Sequence, residues 1–324
     1  MTEKILITGP FGLVGSNLVP ELQKIHGKEN VIALGHRNIP SDFNGILEKG
    51  DIQDKQFMNE IIEKHKITQI YHLASLMSAA GEKNPSLAWN VNMNGLKNIL
   101  DISSEKKIKL FWPSSIAVFG PNTPKQNTPQ HTILEPTTIY GITKIAGELL
   151  CQYYNIKYNL DVRSIRYPGL ISYKAKPGDG TTEYSIWAFY GAIKEKKYTC
   201  FLKQDTVLPM MYMDDAINAT IKIMESPAEK IKIRTSYNLS AISFSPKEIM
   251  EEIKKHIPEF EYTFEPDFRQ QIAESWPQTI DDQDARKDWD WKHEFDLPKM
   301  TEIMIKGVRE KFKNINKNQS NKHI

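Results

Sequence analysis

The sequence predicts an α/β fold: a Rossmann-type parallel sheet with helices on both faces, plus a smaller α/β substrate lobe at the carboxyl edge of that sheet. Three observations predict it. Short apolar runs rich in β-branched residues alternate with amphipathic stretches through the first half of the 324 residues. The first run, Ile5-Leu6-Ile7-Thr8, feeds a turn carrying Gly9, Gly12 and Gly15. From Tyr173 onward the alternation fades, and Pro and Gly punctuate the chain in PGDGTTE, LPMMY, SPAEK, FSPKE and SWPQ. Strands alternating with helices at this spacing imply right-handed crossovers, which cover a parallel sheet on both faces.

In chain order, strands are expected at Lys4–Thr8, Val31–Leu34, Gln69–Leu73, Lys109–Pro113 and Asp161–Tyr167. Helical periodicity covers Gly12–Ile25, Lys55–His65, Pro85–Glu105 and Tyr140–Tyr158. At roughly 150 residues per domain the length suggests two. Residues 1–172 read as the sheet domain and 173–313 as the lobe, with some chain returning to the core. Residues 314–324, polar and without aromatics, read as a disordered tail.

Composition excludes several classes. With 40% hydrophobic and 25% charged residues, the chain is neither disordered nor fibrous. Forty-two Lys and Arg against 40 Asp and Glu give a net charge of +2, so no nucleic-acid or membrane-surface partner is expected. No apolar stretch approaches the roughly 18 residues of a spanning helix, and the opening run is too short for a signal peptide. Cys151 and Cys200 are too few and too far apart for a disulfide framework or a zinc site; they read as reduced thiols of a cytoplasmic protein. Asp281, Asp282 and Asp284 lack the spacing of a calcium loop, so no metal is expected.

The glycine turn has the chemistry of a phosphate cradle. Gly9 permits the tight strand-to-helix turn, Gly12 lets a pyrophosphate approach the backbone, and Gly15 lets the helix pack on the strand. The helix N-terminus adds free N–H groups and partial positive charge. Beyond it, a site for NAD wants an acidic residue at the end of the second strand, to hold the adenosine ribose. Here Gly35 stands there, followed by His36 and Arg37. Arg37 suits a 2′-phosphate, as in an NADP site, and equally suits a solvated surface charge. Asp51 and Ile52, after a further short strand, would flank the adenine.

A second constellation carries proton-transfer chemistry. Ser115 follows the strand Lys109–Pro113, and 25 residues later Tyr140 and Lys144 stand four apart, on one helix face. A phenol is a weak base at neutral pH, and a neighbouring ammonium favours its ionised form. The lysine can also hydrogen-bond a nicotinamide ribose, while Ser115 holds a substrate oxygen against the tyrosine.

The motifs GPFGLVG, GDIQD, YHLAS, NVNMNGLKN, SSIAVFG, YGITK and RYPG resemble the extended short-chain dehydrogenase/reductases, the superfamily of the sugar-nucleotide epimerases. Within it, SLMSAAGEKNPSLAWNVNMNGL, LFWPSSIAVFGPNTP, GTTEYS, LPMMYMDDAI and ESWPQTIDDQDARKDW are similar to the short-chain L-threonine 3-dehydrogenases, over nearly the whole chain. This resemblance implies NAD-dependent oxidation of the L-threonine hydroxyl to 2-amino-3-oxobutyrate, with Ser115, Tyr140 and Lys144 as the catalytic trio. It implies that Ser78, Gly180, Thr181, Thr182, Glu183 and Trp276 hold the amino acid. Gly9, Phe11, Gly12, Leu13, Asp51, Ile52, Leu73, Ala74, Ser75, Asn92 and Tyr167 would line the dinucleotide. It further implies a homodimer built on the helices Pro85–Glu105 and Tyr140–Tyr158. The departure is Gly35, where the family usually has aspartate. Two other readings remain: a sugar-nucleotide epimerase or dehydratase with tightly held NAD, and a dinucleotide-binding protein without chemistry.

Overall fold

The computed structural model describes residues 3–37, 39–174 and 177–320, with side chains left out at 79 and 315–320. Six parallel strands form its main sheet: β1 (Ile5–Thr8), β2 (Val31–Gly35), β3 (Ile46–Lys49), β4 (Gln69–His72), β5 (Lys109–Phe111) and β6 (Val162–Arg163). Their order is 3-2-1-4-5-6, so the direction of winding reverses between β1 and β4. At such a switch point the loops leaving the two strands part and open a crevice for a ligand.

β1, β2 and β4 are buried along their whole length, which explains their unbroken apolar runs: both faces of a parallel sheet are covered. Leu6, Ile32, Leu34, Ile70 and Leu110 face Met58, Ile62, Leu96 and Ile99 of the helices Lys55–His65 and Gly95–Lys106. Ile5, Ile7 and Tyr71 face Leu18 and Leu22 of the helix Gly15–His26. Into that second layer comes chain from the latter half: Ala216, Ile217 and Ile223 of the helix Met213–Glu225, then Trp289 and Trp291. A separate core joins Tyr184, Phe189, Met210, Phe244, Ile253, Met304 and Val308. Its strands include Gly169–Ile171, Leu208–Tyr212 and Ile242–Phe244, which form one sheet.

Three expectations are corrected. The strand expected at Asp161–Tyr167 is divided. Val162–Arg163 closes the main sheet, whereas Ile165–Tyr167 pairs with Ser114–Ser115 and Tyr237–Asn238. The break falls at Ser164, whose buried hydroxyl meets that of Ser236 at 2.9 Å. The helix expected over Pro85–Glu105 is interrupted by a π turn at Asn90–Asn94. The last helix, Leu297–Ser320, runs past Asn314, where the sequence predicts a tail; residues 321–324 lie outside the described residues. No helix among the described residues is long and apolar enough to cross a membrane.

Candidate active site

The glycine turn is dictated by close contacts. Gly9 has φ +69, and a Cβ there would lie 2.8 Å from the Ala74 backbone nitrogen. Gly15 packs against the Gly9 carbonyl and the Pro10 backbone so closely that a Cβ would overlap both. Gly12 differs. It is exposed, and a Cβ there would meet the protein at an ordinary 3.5 Å. Gly9 and Gly15 therefore serve the protein's own packing, while Gly12 leaves the mouth of the turn open. The facing loop is anchored through Thr8, whose Oγ1 accepts the Ala74 N–H at 3.2 Å and lies 2.7 Å from His72 Nδ1. Burial holds the His72 imidazole down to about 3, so it stays neutral.

From that turn a cleft of about 210 Å³ extends along the carboxyl ends of the strands. Its lining brings together Gly9, Gly12, Leu13, Gly15, Leu73 and Ser75, then Ser115, Tyr140, Lys144 and Tyr167, and with them Ser78, Gly180, Thr181, Thr182, Glu183 and Trp276. Ser115 lies at the end of its short strand, where its Oγ accepts the Ala117 N–H at 3.2 Å. Tyr140 opens the helix Ile139–Tyr158, which Thr138 caps by accepting the Gly141 N–H. The phenol of Tyr140 shares a hydrogen bond with Ser115.

The Lys144 ammonium donates to the Pro113 carbonyl at 2.6 Å and sits 4.5 Å from the Trp112 ring centre. Burial governs both titrations. It pushes the Tyr140 phenol up to about 12, against the opposing Ser115 hydrogen bond, and the Lys144 ammonium down to about 7. Where the sequence predicts that the lysine lowers the phenol, burial raises it.

Gly180 leads into the turn Thr181–Glu183 and then the helix Tyr184–Lys194. Glu183 is buried, accepts the Gly178 N–H at 3.2 Å, and has its carboxyl raised above the usual range by burial. Gly169 lets this turn close in, since a Cβ there would lie 2.8 Å from Thr182 Cγ2. Among the described residues no group of three or more His, Cys, Asp or Glu could hold a metal ion.

The model of the NAD dependent epimerase/dehydratase family matches residues 5–240. The chain belongs to that family. A curated relative, the mitochondrial L-threonine 3-dehydrogenase of Bos taurus, is 46% identical over 94% of this chain and 82% of its own. The solved L-threonine dehydrogenase of Clostridium difficile superposes with a TM-score of 0.94 at 46% identity, covering 96% of this chain and 98% of its own. A monomeric L-threonine 3-dehydrogenase from a metagenome, in its apo form, gives 0.91 at 48% identity, covering 94% and 99%.

Of the residues expected to line the dinucleotide, Tyr167 lines this cleft, and Phe11, Asp51, Ile52, Ala74 and Asn92 lie outside its lining. The Asn92 side chain bonds the Leu76 N–H at 2.7 Å, the Leu76 carbonyl at 3.0 Å and Thr143 at 3.2 Å, so it clamps the loop after β4 to the tyrosine-bearing helix. Ile52 is buried in the core against Gly95. The Tyr167 hydroxyl is taken by Thr220, which leaves the ring to face the cleft. Phe11 stands edge-on to Phe43 at 5.2 Å. Sequence reasoning missed Met77, Pro113 and Pro168–Leu170 as lining residues; Pro168 and Gly169 lie within the RYPG motif, whose glycine was the available signal.

Proposed function

We propose that this protein oxidises L-threonine to 2-amino-3-oxobutyrate, using NAD. The observation that carries the reading is one continuous cleft joining the glycine turn, the Ser115–Tyr140–Lys144 corner and the Gly180–Glu183 turn. The exposed Gly12, free of close protein contact, fits a pyrophosphate at the turn. Lys144 and Tyr140 would hold the nicotinamide ribose, and bound NAD supplies a hydride acceptor. The chain's own groups handle the proton and the orientation. Ser115 and Tyr140 hold the substrate hydroxyl between two oxygens, and Tyr140, once ionised to the phenolate that a charged Lys144 stabilises, takes its proton. Lys144, whose proton is loosely held, favours that transfer when charged. Glu183, buried and raised by that burial, is relieved by a substrate ammonium. The hydroxyls of Ser78, Thr181 and Thr182 suit the carboxylate, and Trp276 covers the ligand.

Among the described residues, the charged ones lining the cleft are Lys144 and Glu183. A nucleotide-sugar diphosphate needs more cations than these described residues supply, which disfavours the epimerase reading. The discriminating assay offers L-threonine and UDP-sugars with NAD and follows reduced nicotinamide. Accumulation with threonine alone supports the dehydrogenase; epimerised sugar without accumulation replaces it.

The homodimer belongs to the same reading. Ile142, Leu149, Tyr153 and Ile156 form an exposed apolar row on one face of the helix Ile139–Tyr158, beside exposed Leu87 and Trp89. Such a row suits a partner helix pair, and sedimentation at micromolar concentration tests it. Buried, free Cys151 and Cys200 suit a reducing cytoplasm.

A further inference from the structure

The rim where the adenosine ribose would lie does not carry the chemistry that rejects a 2′-phosphate. In dinucleotide sites an acidic residue ending the second strand accepts from the ribose hydroxyls and repels a phosphate attached there. β2 ends instead at Gly35, and the surrounding packing suits glycine. A Cβ at that position would lie 2.9 Å from Phe11 Cε2 and 2.9 Å from Ile39 Cγ1. Phe11 is itself braced edge-on by Phe43. The space that a carboxylate needs is therefore filled by two apolar side chains.

Two positive residues lie near Gly35, one along the chain and one across the sheet. Arg37 is exposed and makes no ion pair or hydrogen bond among the described residues. Lys49, the register partner of Gly35 on β3, is also exposed. The nearby carboxylate, Asp51, is already engaged: Gln53 donates its backbone N–H at 2.9 Å and its side-chain amide at 3.3 Å, and His36 Nε2 lies at 3.9 Å. Strand order places this rim beside the glycine turn, since β2 neighbours β1.

We propose that the dinucleotide site binds NADP as well as NAD, with the Arg37 guanidinium meeting the 2′-phosphate. This rests on the dinucleotide reading of the glycine turn and extends it to a second cofactor. An arginine fork matches a phosphate in both charge and geometry. The apolar wall of Phe11 and Ile39 neither repels nor specifically recognises the unphosphorylated ribose.

Calorimetric titration of the full chain with NAD and with NADP, without substrate, tests the proposal. The two dissociation constants are expected within about tenfold of each other. Arg37→Ala is expected to raise that for NADP about 10–100-fold more than that for NAD, the range of one lost charge-assisted bond. Raising NaCl from about 0.05 to about 0.5 M is expected to weaken NADP more than NAD, because an exposed ion pair is screened. NADP binding more than about 100-fold weaker than NAD, well beyond a single such bond, overturns the proposal and leaves the dinucleotide site standing. An Arg37→Ala effect equal on both cofactors also overturns it. Binding of neither cofactor removes the dinucleotide reading itself.

Discussion

Two buried polar clusters share the helix Ile139–Tyr158, one turn apart, and the protein treats them in opposite ways. In the first, Glu148 accepts from Arg166 Nε at 2.9 Å, Arg166 Nη2 at 2.7 Å and the Ser114 hydroxyl at 2.6 Å. Arg166 donates further to Asn238 Oδ1 at 2.9 Å and the Gln130 carbonyl at 3.2 Å. In the second, Lys144 has a backbone carbonyl and an aromatic face but no carboxylate at bonding distance, and Tyr140 has Ser115. Burial is similar, and satisfaction is not. The Glu148–Arg166 cluster ties the tyrosine-bearing helix to the strands behind the cleft. The Tyr140–Lys144 corner keeps unused bonding capacity aimed at whatever enters. A buried charge that is fully bonded supports the scaffold, and one left short of partners is available for chemistry.

The contrast makes different substitutions fail in different ways. Tyr140→Phe is expected to lower kcat about 10²–10⁴-fold, the usual worth of a positioned acid–base group, while the protein melts as wild type and still binds NAD in titration. Retention of half the wild-type rate would exclude Tyr140 as the base. Arg166→Ala should act on stability. It strands the Glu148 carboxylate in the interior, and urea unfolding should show a loss of about 3–5 kcal/mol. Thr182→Ala is expected to lower kcat/KM for L-threonine about 10–100-fold, since one bond to a charged group is removed. Steady-state kinetics with unchanged kcat/KM would detach the Gly180–Glu183 turn from the substrate.

The smallest effects separate neighbours. Ser115→Ala should depress turnover more than Ser114→Ala. Ser114→Ala should instead reduce stability, by about 1.5–3 kcal/mol for a lost bond to the Glu148 carboxylate; paired kinetic and unfolding measurements show which. The Lys144 titration has a definite sign. Its folded pKa of about 7 lies below the unfolded value near 10.4. Below about pH 7 both states carry the proton and the cost of burying charge is complete. Between the two values the unfolded chain holds more protons, so ligand-free stability rises with pH across that window. Lys144→Met should flatten this rise in a series of unfolding midpoints.

Much of this was legible from residues alone. The buried runs of β1, β2 and β4, the glycine spacing and the placement of Tyr140 and Lys144 on one helix face all follow from local periodicity. What escaped depended on partners distant in sequence. The division at Ser164 follows from Ser236, 72 residues on, and the clamp role of Asn92 from Thr143, 51 residues on. The upward shift of the Tyr140 phenol follows from burial, which no spacing reveals.

By itself, then, the chain determined which segments become strands and helices, where the glycine turn falls, and that Tyr140 and Lys144 share one helix face. These are properties of contiguous residues, set by backbone sterics and the periods of 2 and 3.6. Tertiary structure decided which polar groups are saturated and which stay open. It also decided that Phe11 and Ile39 fill the place of an acidic residue at Gly35, and that the Gly180–Glu183 turn meets Tyr140 in one cleft. Those outcomes depend on packing between segments far apart in sequence, where a difference of an ångström separates a bonded charge from an available one.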